Sequence, residues 1–246
     1  MCNQCGDIGH VGLGRRGLLG TFSAGLFAGG LFAQPASAQP AGAKPASAQP
    51  ARITADAALK RLMDGHKAYM ANNASVSGYG AGRAARAGGQ TPIAMFLSCA
   101  DSRVLPELIF NQGPGDIFVC RVAGNVGNEY DLASLEFGAA VLEIPLLVVL
   151  GHSGCGAVDA AIKVHRDGAK LPGHLPGLID KIVPAVKIAE AGNPKNLLAA
   201  AITENVRHTM RTLSTSQPLL APKVTSGALK VVGAVYDVGT GKISMV

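Results

Sequence analysis

The residues best equipped for chemistry lie in two short clusters. One runs Ser98-Cys99-Ala100-Asp101-Ser102-Arg103, and the other Gly151-His152-Ser153-Gly154-Cys155-Gly156. Cys99, His152 and Cys155 form a soft three-ligand set suited to Zn²⁺, leaving a fourth position open as catalytic zinc sites do. His152 and Cys155 are close enough for one loop to supply both, and Gly154 and Gly156 permit a tight turn. Spacing alone leaves two other readings open. In one, Cys99 is a redox thiol with His152 as its base. In the other, Cys99 and Cys155 pair as a disulfide in an oxidising compartment. Asp101 and Arg103, two and four residues after Cys99, favour the metal. A carboxylate beside a guanidinium is held ionised and fixed in direction, and next to a metal ligand it can orient a water at the open position.

The elements that must position these clusters follow from hydrophobic periodicity. Residues 54–72 read as a helix with Thr54 as N-cap and Asp56 in its first turn; Leu59, Leu62, Met63, His66 and Met70 share one face. Residues 73–91 read as a Gly/Ala/Ser-rich loop. Ile93–Ser98, Asp116–Arg121 and Leu146–Leu150 read as buried strands, and Val231–Asp237 and Lys242–Val246 as late ones around the turn Gly239-Thr240-Gly241. Tyr130–Ile144, Gly156–His165, 177–191 and 194–214 carry helical patterns, with a break from Pro172 to Pro176. Apolar strands alternating with helices predict an α/β fold with a mainly parallel central sheet flanked by helices. Ligands bind such sheets outside the carboxyl ends of the strands. Cys99 and His152 each follow directly on a strand, and Cys155 is expected near a helix N-terminus, where the dipole favours a thiolate.

Of 246 residues, 48% are hydrophobic and 15% charged, enough to bury a sizeable core. The net charge of +6 is scattered, Trp is absent and aromatics are 4%, which argues against nucleic-acid binding. Residues 1–38 read as an export signal. Arg15-Arg16, of twin-arginine type, precedes an apolar run to Ala33 and the small triplet Ala36-Ser37-Ala38. That run is Gly-rich and shorter than the about 20 residues of a membrane span, so a periplasmic protein without a stable membrane anchor is expected. Cys2 and Cys5 would leave with the signal. Residues 39–51 form a Pro/Ala-rich linker in which Ala46-Ser47-Ala48 offers a second cleavage site, and 52–246 form the catalytic domain.

The pair C-x-D-x-R and H-x-x-C, about 50 residues apart, resembles the motif pair of the β-class carbonic anhydrases. The segments CADSRVLPELIF, GDIFVCRVAGN, GHSGCGAV and VVGAVYDVGTGKI extend the likeness from about Leu59 to Val246. The resemblance implies reversible hydration of carbon dioxide to bicarbonate and a proton, with one Zn²⁺ per subunit on Cys99, His152 and Cys155. It implies a catalytic dyad of Asp101 and Arg103, and Gln90 as the amide that hydrogen-bonds a substrate oxygen. It implies a pocket lined by Phe118, Ala123, Gly124, Asn125 and Phe137, the last where Tyr is common. It also implies a homodimer or higher homo-oligomer with the site at the interface, so that Gln90 and the aromatics face the partner's zinc. Some members hold a second bicarbonate with a Trp at the position of Phe96 and an Arg at that of Arg121. Phe96 lacks the indole donor, and an open, water-bound state is expected near neutral pH. The same fold acting on carbon disulfide or carbonyl sulfide, and a non-catalytic zinc- or bicarbonate-binding protein, are the alternatives. His66, His165, His174 and His208 read as surface or packing residues, and Cys120 as a buried thiol.

Overall fold

Three apolar runs of the sequence lie side by side as strands β1 (Ala94–Ser98), β2 (Ile117–Arg121) and β3 (Leu146–His152), followed by β4 (Lys230–Tyr236) and a short β5 (Ile243–Met245). In this computed structural model, which describes residues 52–73 and 80–246, they form one sheet in the order β2-β1-β3-β4-β5. The first four pair in parallel and β5 pairs antiparallel with β4. The signal, the linker, Cys2 and Cys5 lie outside the described residues.

Every residue of β1 and β3 is buried, because helices cover both faces. Ala94 and Phe96 of β1 pack with Leu146, Val148 and Leu150 of β3 against Ala58 and Leu62 of helix α1 (Ala55–Met70). Met95 and Leu97 face the other way, toward Leu135 of α4 (Glu129–Ala140) and Val206 and Leu213 of α8 (Leu197–Ser214). A third core joins α5 (Gly156–Asp167), α7 (Val183–Ala191) and α8 around Cys99 and Cys155. The short helices α2 (Arg83–Arg86), α3 (Pro106–Ile109), α6 (Leu175–Ile179) and α9 (Leu220–Thr225) complete the set.

The chain leaves β1 toward β2 on one side and leaves β3 toward β4 on the other. The cleft between the carboxyl ends of β1 and β3 is therefore the switch point at which such sheets bind ligands. Cys99 and His152 stand there.

Several elements differ from the sequence expectation for local reasons. The 177–191 pattern is two helices, α6 and α7, because Pro184 in the first turn of α7 has no N–H to continue a preceding helix. Helix α4 ends at Ala140 rather than Ile144: Glu143 takes a left-handed φ of 51° and Pro145 disfavours helix at Ile144. Strand β3 runs on through Gly151 and His152, so His152 is its last residue. Met70 is exposed at the end of α1, while His66 is buried and packs with Nδ1 3.1 Å from the Ile109 carbonyl. The loop expected at 73–91 contains α2, and α3 and α9 had no clear periodicity to announce them.

Thr54 caps α1, its Oγ1 accepting from the Ala57 N–H at 3.2 Å. The helix then backs α3, which follows directly on the Cys99–Arg103 loop. At Gly65 the two approach so closely that a Cβ would sit 2.0 Å from the Phe110 carbonyl oxygen. Backbone cannot yield as a flexible side chain does. Gly65→Ala is expected to destabilise the protein by about 1–3 kcal/mol despite the better helix propensity of Ala. Gly177→Ala, inside α6 with open space around it, should leave the thermal midpoint unchanged or raise it. Calorimetry of both variants checks this.

Candidate metal centre

Cys99 Sγ and Cys155 Sγ lie 4.0 Å apart, and with a His152 ring nitrogen their ligand atoms all fall within 4.8 Å of one another. All three residues are buried. Two sulfurs at about 2.3 Å from a tetrahedral zinc would be about 3.8 Å apart, close to the spacing found. His152 Nδ1 lies 3.0 Å from the Ser153 carbonyl, which can only accept, so that nitrogen carries the proton. The other nitrogen, Nε2, is buried without a hydrogen-bond partner among the described residues. An orphaned buried nitrogen whose lone pair is freed by its own tautomer, beside two thiols, fits a Zn²⁺ ion.

Each ligand is delivered by local structure. Cys99 is the first residue after β1. His152 closes β3, whose register with β4 places it beside Tyr236. The Ser153 N–H donates to the Tyr236 carbonyl at 2.9 Å, and the Val238 N–H donates to Ser153 Oγ at 2.9 Å, tying the ligand loop to β4. Gly154 then turns the chain at a φ of 67°, while Gly156 simply opens α5. Cys155 is the N-cap of α5, so the positive end of that helix faces its sulfur.

Without a cation the two thiols cannot both ionise. The Cys155 thiol beside it, then the neighbouring His152 ring and the Gly124 N–H at 3.3 Å, hold Cys99 well below an ordinary thiol, against the cost of burial. The same contact with Cys99, then burial, pushes Cys155 up. A metal ion removes this conflict by replacing both protons.

Asp101 stands next to the triad, its Oδ2 3.9 Å from His152 Nε2. Arg103 grips it in a fork: Nε donates to Oδ1 at 2.9 Å and Nη2 to Oδ2 at 2.8 Å, with the Arg103 backbone N–H adding a bond to Oδ1 at 3.0 Å. That grip holds the Asp101 carboxyl well below the usual carboxylate range. Arg121 braces the loop from β2, donating from Nε to the Cys99 carbonyl at 3.2 Å and from Nη2 to the Asp101 carbonyl at 2.6 Å. Sequence reasoning gave Arg121 no such role. The signal was the parallel pairing of Ser98 with Arg121, which sets the end of β2 beside this loop.

Of the other expected site residues, Ala123, Gly124 and Asn125 form a 3₁₀ turn against Cys99. Gln90, Phe118 and Phe137 do not join the triad within one chain. Gln90 is exposed four residues before β1, whose five residues alone span roughly 16 Å on the way to Cys99. It borders a cavity of 390 Å³ with Arg52, Arg61 and Pro145. Phe118 pairs with Met95, well before the end of β1, and its ring is 6.5 Å from that of Phe137. Phe96 is fully buried against Phe110, ring centroids 5.2 Å apart, and is a core residue. Cys120 is buried, and His165 pairs with Glu190 at 2.9 Å.

Because the Asp101 pKa is lowered on folding, its contribution to stability is full above the ordinary carboxyl value of about 3.9 and is lost as pH falls through its lower folded value. Carbon-13 NMR of the zinc-free protein should show Asp101 still ionised near ~pH 3, where exposed carboxyls are protonating. Arg103→Leu should move its titration upward, toward the ordinary value.

Comparison with known proteins places this geometry. Residues 94–243 match the family model described as carbonic anhydrase. Carbonic anhydrase 2 of Mycobacterium tuberculosis is 35% identical over 189 residues, 76% of this chain and 90% of that protein. The carbonic anhydrase of Mycolicibacterium smegmatis is 31% identical over 190 residues, 77% and 92% of the two chains. Among solved structures, a Coccomyxa β-carbonic anhydrase in complex with acetazolamide superposes with a TM-score of 0.61 at 28% identity, covering 76% of this chain and 86% of that one. Tetrameric β-carbonic anhydrases of Sordaria macrospora give 0.58 at 26% identity, covering 74% and 95%.

Proposed function

This chain belongs to the β-carbonic anhydrase family, and we propose that it works outside the cytoplasm as a homo-oligomer whose sites are completed across a subunit interface. It is an enzyme, a carbonic anhydrase, interconverting carbon dioxide and bicarbonate. The observation that carries the chemistry is the buried Cys99–His152–Cys155 set with an orphaned Nε2 beside an ionised carboxylate. Zinc held by these three residues supplies Lewis acidity, lowering the pKa of a water from 15.7 toward about 7.

The remaining chemistry belongs to the chain's own groups. Asp101, kept ionised by Arg103, can only accept a hydrogen bond. Its Oδ2 faces the triad and accepts a hydrogen bond from the attacking water, turning that water's lone pair toward the carbon of carbon dioxide, while the proton released on hydration leaves to solvent buffer. The bidentate fork and the Arg121 brace keep this acceptor from drifting. The Gln90 amide donates to the oxygen on which negative charge develops.

Interface completion is supported by two features. Gln90 and the aromatics lie away from their own chain's triad, and β2 is an edge strand beside exposed Tyr130, Phe137 and Val141. An unpaired edge flanked by exposed apolar side chains, two from α4 and Val141 just beyond its end, suits a second copy, and the Sordaria relatives are tetrameric by description. Export is supported by Arg15-Arg16, the apolar run and Ala36-Ser37-Ala38. Among the described residues no helix is long and apolar enough to cross a membrane.

Stopped-flow hydration of carbon dioxide should be clear above buffer for the zinc-loaded protein at ~pH 8.5 and fall by about 10²-fold or more in Asp101→Asn. No activity above buffer in the wild type overturns the enzyme reading. Mixed and reassembled Gln90→Ala and Cys155→Ser variants test the interface. A hybrid has one intact zinc site facing one intact Gln90, so activity should return on mixing; no return places Gln90 in its own chain's site. For export, the periplasmic form should begin after Ala38 or Ala48 by N-terminal sequencing. Arg15→Lys with Arg16→Lys should leave the uncleaved chain in the cytoplasm.

A further inference from the structure

Asn205 is a fully buried amide on the mainly apolar buried face of α8, between Ile202 and Val206, with Thr209 the other polar side chain buried there. Such a group is costly unless hydrogen-bonded. Its Nδ2 donates at 2.7 Å to the carbonyl of Gly124, 81 residues earlier in the chain. Gly124 is the residue whose own N–H donates to Cys99 Sγ at 3.3 Å. One residue thus receives a bond from α8 on its carbonyl and delivers one from its amide to a metal ligand.

The turn closes on one bond of its own, from the Asn125 N–H to the Val122 carbonyl at 3.0 Å, and two of its residues are unusual in conformation. Gly124 has a φ of 74° and Asn125 one of 46°, both left-handed. A side chain at Gly124 could not stiffen it, because a Cβ would come within 2.6 Å of Ile182 Cδ1 and 3.2 Å of the Ala157 methyl. Glycine is the residue with the most conformational freedom to lose. The turn hangs from the end of β1 through the Val122 N–H to the Ser98 carbonyl at 3.0 Å and the Ala100 N–H to the Val122 carbonyl at 3.2 Å. Both bonds lie upstream of Gly124. The downstream peptide is held on its two sides, its Asn125 N–H donating to the Val122 carbonyl at 3.0 Å and its Gly124 carbonyl accepting from Asn205, the one contact that a side chain supplies to it among the described residues.

We propose that Asn205 is a positioning residue for the metal ligand Cys99, acting through the Gly124 carbonyl to aim the Gly124 N–H at the sulfur. The inference rests on the zinc reading of the triad. Hydrogen bonds to ligand atoms set their direction and basicity, and losing such a partner costs about 10- to 100-fold in metal affinity.

Asn205→Asp keeps the volume but sets an acceptor against the Gly124 carbonyl. Leu213→Ala, in the same helix and buried about two turns away, opens a cavity without reaching the turn. Full-length wild type and both variants would be compared by chelator competition for zinc, by the thiolate-to-metal charge-transfer band of the Co²⁺-loaded protein, and by thermal midpoint. Asn205→Asp should lose about 10- to 100-fold in zinc affinity and shift the Co²⁺ band, whereas Leu213→Ala should lower the midpoint and move neither. If Asn205→Asp does not fold, Asn205→Ser, whose hydroxyl is too short to reach the carbonyl, takes its place with the same expectation. Zinc affinity and Co²⁺ band unchanged, or changed no more than in Leu213→Ala, overturn the proposal. A wild type that takes up neither metal sinks the metal site itself and this inference with it.

Discussion

Two buried sulfurs 4.0 Å apart can both give up their protons only if a cation stands with them. The neighbourhood of Cys99 and Cys155 is organised around that requirement. An imidazole is turned so that its bare nitrogen faces the pair, a helix presents its positive end to one sulfur and a backbone amide points at the other. No single element could assemble this set. The parallel pairing of β1 with β3 places two strand ends side by side, and the reversal of strand order opens a cleft between them. The sheet's apolar interior makes that placement rigid, because strands buried on both faces have no register to which they can slip without exposing core.

Much of this was legible in the residues. Apolar runs without alternation gave a doubly covered parallel sheet, and the chemistry-bearing residues followed directly on two of those runs. Cys99, Asp101 and Arg103 are local to one another, so their association was visible in spacing. The partners that a distant element supplies were not. Arg121 bonds the Cys99 loop from 20 residues away in the chain, and Asn205 bonds the Gly124 turn from 81, both through backbone carbonyls that carry no residue-type signal. The split of 177–191 into two helices was legible, because Pro184 stands inside that pattern and ends a preceding helix, whereas periodicity alone runs across it.

Gln90, Phe118 and Phe137 show a different limit. Their types suit a substrate pocket, yet within one chain they sit at the amino end and along the edge of the sheet. A role for them requires a surface that the single chain does not supply. In the oligomer proposed above, the exposed apolar side chains of α4 beside the β2 edge would meet that surface. Phe96 illustrates the converse. It occupies a position with a regulatory association in the resemblance, but here it is interior packing against Phe110.

The spacing of the ligands along the chain has a consequence of its own. Cys99 and His152 are separated by about fifty residues that include β2 and α4. A metal ion joining them closes a long loop, as a disulfide would, and so restricts the denatured ensemble as well as completing the folded site. Such a cross-link is reversible and needs no oxidant. It makes metal supply one of the variables that set how readily the segment between β1 and β3 comes apart.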